Sequence, residues 1–218
     1  MPKKPSGRKL GQAVTRARII EAAAQRFAHR GFAATSTRDI SKLAKVNEVT
    51  LFRYFPRKVG LFAAAVESRL ARVRMSGSLQ TKLAKDAPIA DVVPALIDFL
   101  TENFLNAPEL IRLLYVAGLE LPAGDMLVRE YLGPCFDSIQ GYFERSAVNG
   151  IIEVHPIAAT LSLAGIVCSQ QDLYRLFTGK ELGWDAEQYG KAYRRFLLNA
   201  LGGSASVPTP VTSALQRP

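Results

Sequence analysis

Apolar residues recur at intervals of three and four positions along most of the chain, from about residue 15 to residue 200. This spacing gathers them on one face of an α-helix, whereas a half-buried β-strand alternates apolar and polar positions. No alternating run of that kind occurs in the sequence. The pattern therefore predicts an all-α fold.

Four helices are predicted in the first third of the chain, over residues 15–30, 37–45, 47–55 and 57–70. Thr15 and Thr37 are predicted to cap the first two, because a threonine hydroxyl accepts a hydrogen bond from a free amide of the first helical turn. Gly31 follows the first helix and suits the left-handed conformation that ends many helices.

Beyond Gly77 five helices are predicted, with less sharply defined ends, over about residues 88–105, 108–120, 125–149, 156–178 and 185–200. The Gly133-Pro134 pair predicts a break in the third of these, since proline removes a helical hydrogen bond. The ends of the chain differ in composition: residues 1–14 form a basic arm, and residues 202–218 are rich in Gly, Ser, Thr and Pro. Both are expected to be flexible.

The second and third helices have the spacing of a helix-turn-helix, because only about four residues separate them. On a helical wheel, Leu51 and Phe55 of the third helix share an inward face. Ile40 and Leu43 of the second helix are their expected neighbours. These four side chains are predicted to form the contact between the two helices.

The opposite face of the third helix carries Asn47, Thr50 and Tyr54. Polar side chains near the start of such a helix reach base edges first when the helix enters the major groove of DNA. Thr50 offers a hydroxyl for a phosphate and a methyl group for thymine. Lys58 is predicted to contact phosphate, and Arg38 to contact either phosphate or guanine.

Charge divides the chain into two parts. Of the 28 Lys and Arg residues, 17 lie within residues 1–74 against four acidic residues, which gives that part a net charge of +13. The remainder carries 11 basic and 15 acidic residues, a net charge of −4. A basic N-terminal part indicates an anionic partner. At 48% hydrophobic residues, the chain is also apolar enough to bury a core.

The run TSTRDISKLAKVNEVTLFRYFPRKVGLFAAAV, residues 35–66, resembles the DNA-binding signature of the TetR family of bacterial repressors, and the resemblance is close over residues 15–66. The residues that carry it are Thr37, Ile40, Ala44, Val46, Thr50, Leu51, Tyr54, Phe55, Pro56, Lys58 and Leu61. The resemblance implies a three-helix DNA-binding domain over residues 15–58. It implies a larger helical ligand-binding and dimerisation domain over residues 59–201.

Several residues depart from the family pattern. Lys45 stands where the family often has glycine. Phe52 replaces a common tyrosine, so no tyrosine hydroxyl is present there to donate a hydrogen bond to a phosphate. Asn47 replaces a common serine and keeps the ability to cap a helix. Glu48 is acidic and would accept a hydrogen bond from cytosine or stay outside the interface. The complete set of predicted DNA contacts is Thr37, Arg38, Asn47, Glu48, Thr50, Arg53, Tyr54 and Lys58.

The C-terminal body carries aromatic and amide side chains on otherwise apolar helices. Such residues line small-molecule cavities, where a few polar groups orient the ligand, although most aromatic residues at helical spacing simply form the core. The candidates for a ligand site are Phe99, Asn103, Phe104, Tyr115, Phe136, Tyr142, Phe143, Gln170, Gln171 and Tyr174. They predict a small-molecule effector, whose identity the sequence does not specify.

The last two predicted helices carry apolar stripes that suit an interface between subunits. The stripes are formed by Ile157, Leu161, Ala164 and Cys168, and by Tyr189, Tyr193, Phe196 and Ala200. In proteins that resemble this one, the equivalent helices pack against a twofold partner as a four-helix bundle. The resemblance therefore implies a homodimer with recognition helices about 34–36 Å apart or slightly more, on a palindromic operator.

Signals for catalysis, metal binding and export are weak. His155 has no Cys or carboxylate at ligand spacing, and no P-loop, HExxH or GxSxG motif occurs, so no catalytic residue, metal or cofactor is predicted. Asp98 and Glu102 are four residues apart and favour a solvated face over a cation site. Cys135 and Cys168 are too few for a disulfide framework, and no signal peptide is present, which favours the cytoplasm.

These features predict a DNA-binding transcriptional regulator: a repressor that binds a double-stranded operator as a homodimer and is released by a small molecule. Two alternatives remain open. A small-molecule enzyme with a basic head would need an acid, base or metal set that the sequence does not reveal. A protein that binds membrane surfaces is disfavoured because the predicted core uses the apolar residues of the basic part.

Overall fold

A computed structural model describes the backbone of residues 7–121, 124–168, 178–180 and 183–202, and the side chains of residues 10–121, 124–165, 178–180 and 183–202. These residues form ten α-helices and no strand, which confirms the predicted all-α class. The helices are α1 Gly7–Arg30, α2 Thr37–Leu43, α3 Glu48–Tyr54, α4 Lys58–Leu70, α5 Gly77–Ala84, α6 Ile89–Leu100, α7 Pro108–Glu120, α8 Gly124–Val148, α9 Pro156–Cys168 and α10 Ala186–Ala200. A single π-helical turn, Thr101–Leu105, continues α6.

The start of α1 differs from its prediction. The helix already includes Gly7, so residues 7–14 are helical and are not part of a flexible arm. Thr15 lies inside the helix, where its hydroxyl donates to the carbonyl of Gly11 at 2.9 Å. The cap of α2 also lies one residue earlier than predicted, because the hydroxyl of Ser36, and not of Thr37, accepts from the Asp39 amide at 3.0 Å.

Two further elements were predicted wrongly. Helix α5 was missed; Ser76 caps it, and it buries Leu79 and Leu83. Helix α8 runs without a break through Gly133 and Pro134. Leu132 and Ile139 are both buried, and their packing offsets the one helical hydrogen bond that Pro134 cannot donate.

One hydrophobic core extends from the N-terminal helices into the body. Helix α1 packs against α2, α4 and α7, while α7 also contacts α4 and α8. The rings of Phe27, Phe32 and Phe62 cluster with centroids 4.9 to 5.7 Å apart. Because α7 belongs to the body and α1 to the N-terminal part, this packing fixes the two parts against each other.

An ion cluster around one buried arginine reinforces the same junction. Arg69 of α4 is 8% exposed and donates two hydrogen bonds of 2.7 Å to the carboxylate of Glu21 on α1. Its guanidinium also lies 3.6 Å from Glu109 on α7. The hydrogen bond from Arg69 lowers the pKa of the Glu21 carboxyl, and burial opposes that shift. Three helices therefore meet at one charged side chain.

We predict that Glu21→Gln lowers the free energy of unfolding at pH 7 by about 1–2 kcal/mol, because Arg69 loses a charged acceptor while half-exposed Glu21 is partly screened by solvent. The folded-state pKa of Glu21 lies below its unfolded value. Its contribution is therefore present above the unfolded value of about 4.3 and is lost as the pH falls through the folded pKa. Urea denaturation at pH 7, 5 and 3 measures this loss.

The matched control is Glu130→Gln, which alters an exposed carboxylate on α8. It should change stability little at any of the three pH values. An equal destabilisation by Glu21→Gln at pH 7 and pH 3 would contradict the assignment of the effect to the ionised pair.

Candidate nucleic-acid interface

The turn between α2 and α3 is tight and closed by hydrogen bonds. The amide of Val46 donates to the carbonyl of Ser41 at 3.0 Å, and that of Lys45 donates to Lys42 at 3.2 Å. This pair of bonds is the pattern that ends many helices with a left-handed residue. Here that residue is Lys45, with φ of +53°. A side chain therefore occupies a position that glycine fills more readily.

Helix α3 begins at a well-formed cap. The side-chain oxygen of Asn47 accepts from the amide of Thr50 at 2.7 Å. Leu51 and Phe55 are buried, and Ile40 of α2 is fully buried as well, as predicted. Leu43 is 38% exposed, so its predicted inward position is wrong. The helix-turn-helix thus has its own inner face, with α3 held by its cap and by that face.

The outward face of α3 differs in part from the helical wheel. Val49 is 79% exposed and Phe52 is 44% exposed, and Arg53 is also exposed. Thr50 and Tyr54 are half-buried, and the guanidinium of Arg53 lies 5.6 Å from the centre of the Tyr54 ring. Val49 was not among the predicted DNA contacts. Its place on the helical wheel, two residues after the Asn47 cap, was the signal that could have indicated an exposed position.

Several of the predicted contact residues, among them Thr37, Glu48 and Lys58, are engaged within the protein. The hydroxyl of Thr37 donates to the carboxylate of Glu48 at 3.1 Å. The Glu48 carboxylate therefore lies beside the start of α2. Its negative charge makes the N-terminus of α2 less suited to binding a phosphate. The ammonium of half-buried Lys58 donates to the carbonyl of Ala33 at 3.3 Å and lies 4.5 Å from the centre of the Phe32 ring.

The surface around the two helices is mainly cationic. Its exposed basic side chains are Arg38, Lys42, Lys45, Arg53 and Arg57. The nearby acids are Asp39, which lies 3.5 Å from Arg30, and Glu48, which accepts from Thr37. This arrangement presents an exposed helix flanked by positive charge, which fits a duplex groove and its phosphates.

Comparison with known proteins identifies this architecture. Residues 19–65, from the middle of α1 into α4, match the family model for bacterial regulatory proteins of the tetR family. Among solved structures, a mutant of HlyIIR, a hemolysin II transcriptional regulator, has the same fold, with a TM-score of 0.68 over 90% of this chain and 100% of that chain at 17% identity.

The N-terminal part of this chain, residues 19–65, is thus similar to the TetR family. Relatives include the HTH-type transcriptional repressor SCO4008 of Streptomyces coelicolor, 31% identical over 113 residues, which are 51% of this chain and 54% of that protein. The HTH-type transcriptional repressor Rv3405c of Mycobacterium tuberculosis is 36% identical over 96 residues, 44% of this chain and 45% of that protein. The chain thus spans about half the length of these relatives. Regulators of the TetR family are generally not enzymes.

The body of the protein contains an apolar cavity of about 290 Å³ between α6, the π-helical turn, α7, α8 and α9. Its lining consists of Phe99, Leu100, Phe104, Ile111, Leu114, Tyr115, Val128, Leu132, Cys135, Phe136, Ile139, Thr160, Leu163 and Ala164. Among these described residues only Tyr115, Cys135 and Thr160 carry polar groups, and the Thr160 hydroxyl already donates to the Pro156 carbonyl.

The predicted ligand residues are distributed unevenly around this cavity. Four of them line it: Phe99, Phe104, Tyr115 and Phe136. Three do not, namely Asn103, Tyr142 and Phe143, and the remaining three, Gln170, Gln171 and Tyr174, lie outside the described residues. The additional lining residues are ordinary aliphatic side chains, which the sequence does not distinguish from core.

Asn103, Tyr142 and Phe143, which do not line the cavity, have partners elsewhere in the protein. Asn103 accepts from the Arg74 amide at 3.0 Å and donates to the Phe99 carbonyl at 2.8 Å, which joins the π-helical turn to the segment after α4. The hydroxyl of fully buried Tyr142 donates to the Ala87 carbonyl at 2.7 Å. Phe143 packs beside it in the core.

Other candidates for chemistry in the body are also accounted for. Burial raises the pKa of the Cys135 thiol and lowers its thiolate content, and the side chain of Cys168 lies outside the described residues. Asp98 pairs with Arg194 of α10 at 2.8 Å. Over the described ranges, no group of three or more His, Cys, Asp or Glu residues is placed to hold a metal ion. Nor does any helix there have the length and apolarity to cross a bilayer.

We predict that Lys45→Gly raises the free energy of unfolding by about 0.5–1 kcal/mol, because glycine adopts φ near +53° without the steric cost of a Cβ. Thermal denaturation measures the change. The control, Lys42→Gly, removes the same charge from the last turn of α2 and should lower stability by about 0.5–1 kcal/mol. Equal destabilisation by both variants would contradict the left-handed turn.

Proposed function

We propose that this chain is a ligand-responsive transcriptional repressor that binds a palindromic DNA operator as a homodimer. The observation that carries the proposal is the capped helix α3, which presents an exposed face among five exposed cationic side chains. We assign DNA binding to residues 15–58, and ligand binding and dimerisation to residues 59–201. Helix α1 begins at Gly7 and therefore extends eight residues before the N-terminal limit of the DNA-binding range 15–58.

In this proposal α3 enters the major groove with its N-terminal turn first. Val49 is suited to contact with a thymine methyl group because it is branched, apolar and 79% exposed. Asn47 and Thr50 begin the helix, although the Asn47 side chain also serves as the cap. Arg53 and Arg38 are exposed and are assigned to phosphates beside the groove, although the Arg53 guanidinium also lies near the Tyr54 ring.

The proposed dimer uses α9 and α10. Ile157 is 49% exposed, Leu161 is 63% exposed and Phe196 is 59% exposed, so each leaves apolar surface for a partner. Tyr189 is buried within its own subunit and Tyr193 is half-buried, with their rings 4.8 Å apart. We therefore narrow the predicted interface stripe of α10 to its exposed part around Phe196.

The proposed effector site is the apolar cavity. Its described lining contains no charged side chain, so the part of a ligand that contacts it would be uncharged. A ligand lowers DNA affinity only if it binds the two conformations of the repressor unequally. A coupling of about 1–3 kcal/mol corresponds to about a 5- to 150-fold change in DNA affinity.

Selection of bound duplexes from a random pool tests the proposed function. It should return an inverted repeat, with half-sites about one helical turn apart or slightly more. Affinity for the selected duplex should fall by about 10³-fold or more between 50 and 200 mM salt if six or more phosphates are contacted. A pool that yields no repeat, with affinity independent of salt, would refute the proposal.

Arg53→Ala is expected to weaken binding to the selected operator and to unrelated duplex alike, and to flatten the plot of log affinity against log salt by about one unit. The loss of one exposed cation on α3 is the cause. Electrophoretic mobility shifts at several salt concentrations measure it. Arg129→Ala, in an exposed position of α8, is the control. An unchanged salt dependence in Arg53→Ala would exclude a phosphate contact.

Phe196→Glu is expected to convert the dimer into a monomer, because a carboxylate would be buried without a partner at the interface. Sedimentation velocity measures the mass, and binding to a full palindrome should fall with it. Val148→Glu is the control, since Val148 is 87% exposed at the end of α8. A Phe196→Glu variant with the mass of wild type would place the interface elsewhere.

A further inference from the structure

The loop between α1 and α2 is in direct contact with the last residue of α7. A carboxylate oxygen of Glu120, Oε2, accepts a hydrogen bond of 2.9 Å from the backbone amide of Ala33. The two residues are 87 positions apart in the sequence. This bond connects the body directly to the segment that leads into the helix-turn-helix.

Gly31 lies in this loop beside the Glu120 carboxylate. Its φ of +76° lies in the left-handed region, which disfavours any residue with a Cβ. A Cβ at this position would also lie only 2.9 Å from the other carboxylate oxygen of Glu120. The absence of a Cβ at Gly31 therefore leaves room for the exposed Glu120 carboxylate in the position that accepts the Ala33 bond.

The same loop is held on its other side by α4. The carbonyl of Ala33 accepts a hydrogen bond from the ammonium of Lys58, the first residue of α4. Three residues after Ala33, Ser36 caps α2. The peptide groups around Ala33 thus lie between a carboxylate of the body and a cation of α4, immediately before the first helix of the helix-turn-helix.

Helix α7 also forms one wall of the cavity, through Ile111, Leu114 and Tyr115. Tyr115 precedes Glu120 by five residues, or about 7.5 Å along a helix. At its other end, Glu109 lies 3.6 Å from Arg69 of α4. A displacement of α7 by a ligand in the cavity would therefore move the carboxylate that holds the loop.

We propose that Glu120 is a positioning residue that fixes the helix-turn-helix relative to the body, and that it links the cavity wall to the DNA-binding surface through the Ala33 amide. The inference rests on the proposed function, because its consequence is measured as operator affinity. Glu120 itself does not contact DNA in this account.

The test uses the full chain with Glu120→Ala, which removes the acceptor, and Glu120→Gln, whose side-chain oxygen can still accept the bond. Amide hydrogen exchange at Ala33 should be about tenfold or more faster in Glu120→Ala. It should be near wild type in Glu120→Gln and in the control Glu130→Ala on α8. Should Glu120→Ala fail to fold, Glu120→Ser truncates the acceptor at the end of the helix in the same way.

The second readout is affinity for the operator selected with wild-type protein. Glu120→Ala should bind it at least about fivefold more weakly, while Glu120→Gln stays within about twofold. A general effect of charge would act alike in both variants, since both lose the carboxylate. Rescue by Glu120→Gln therefore separates positioning from electrostatic attraction.

Each failure has a distinct meaning. Unchanged exchange at Ala33 in Glu120→Ala would overturn the contact itself. Faster exchange with unchanged operator affinity would overturn the positioning role. Wild-type protein that binds no duplex would refute the proposed repressor function, whereas the exchange measurement would still report on the contact between α7 and the loop.

Discussion

The pairing of one buried cation determines how the two parts of this protein fit together. Arg69 is 8% exposed, and a buried guanidinium is costly unless acceptors such as carboxylates pair with it. The Glu21 carboxylate of α1 accepts two hydrogen bonds of 2.7 Å from Arg69, and Glu109 of α7 lies 3.6 Å from the Arg69 guanidinium. The three helices must therefore meet at this point. The aromatic cluster of Phe27, Phe32 and Phe62 adds further packing between α1 and α4.

In the proposed function, that junction sets the position of the surface that binds DNA. The turn between α2 and α3 is closed by its own hydrogen bonds, and the two helices share a buried face. The pair is oriented by what precedes and follows it: the loop held by Glu120, and helix α4, which carries both Lys58 and Arg69. Because α7 also lines the cavity, the orientation of the recognition helix and the shape of the cavity depend on the same helix.

Local features of the sequence were predictive, and contacts between distant segments were not. The helix-turn-helix followed from spacing and from the cap at Asn47, because both depend on neighbouring residues. The resemblance over residues 15–66 indicated the TetR family, and residues 19–65 match the model of that family. The role of Asn103 was missed because its partner, Arg74, lies 29 residues away. Helix α5 was missed because its eight residues offer only two buried positions.

The most direct test of the account asks whether the N-terminal helices and the body unfold together. Trp184 is the single tryptophan of the chain, and its ring lies 6.3 Å from Tyr189 of α10, so its fluorescence reports on the body. Amide exchange at Ile40 and Leu51 reports on α2 and α3. In a urea titration, the account predicts one midpoint for both reporters. Loss of protection in α2 and α3 at clearly lower urea than the Trp184 transition would contradict it.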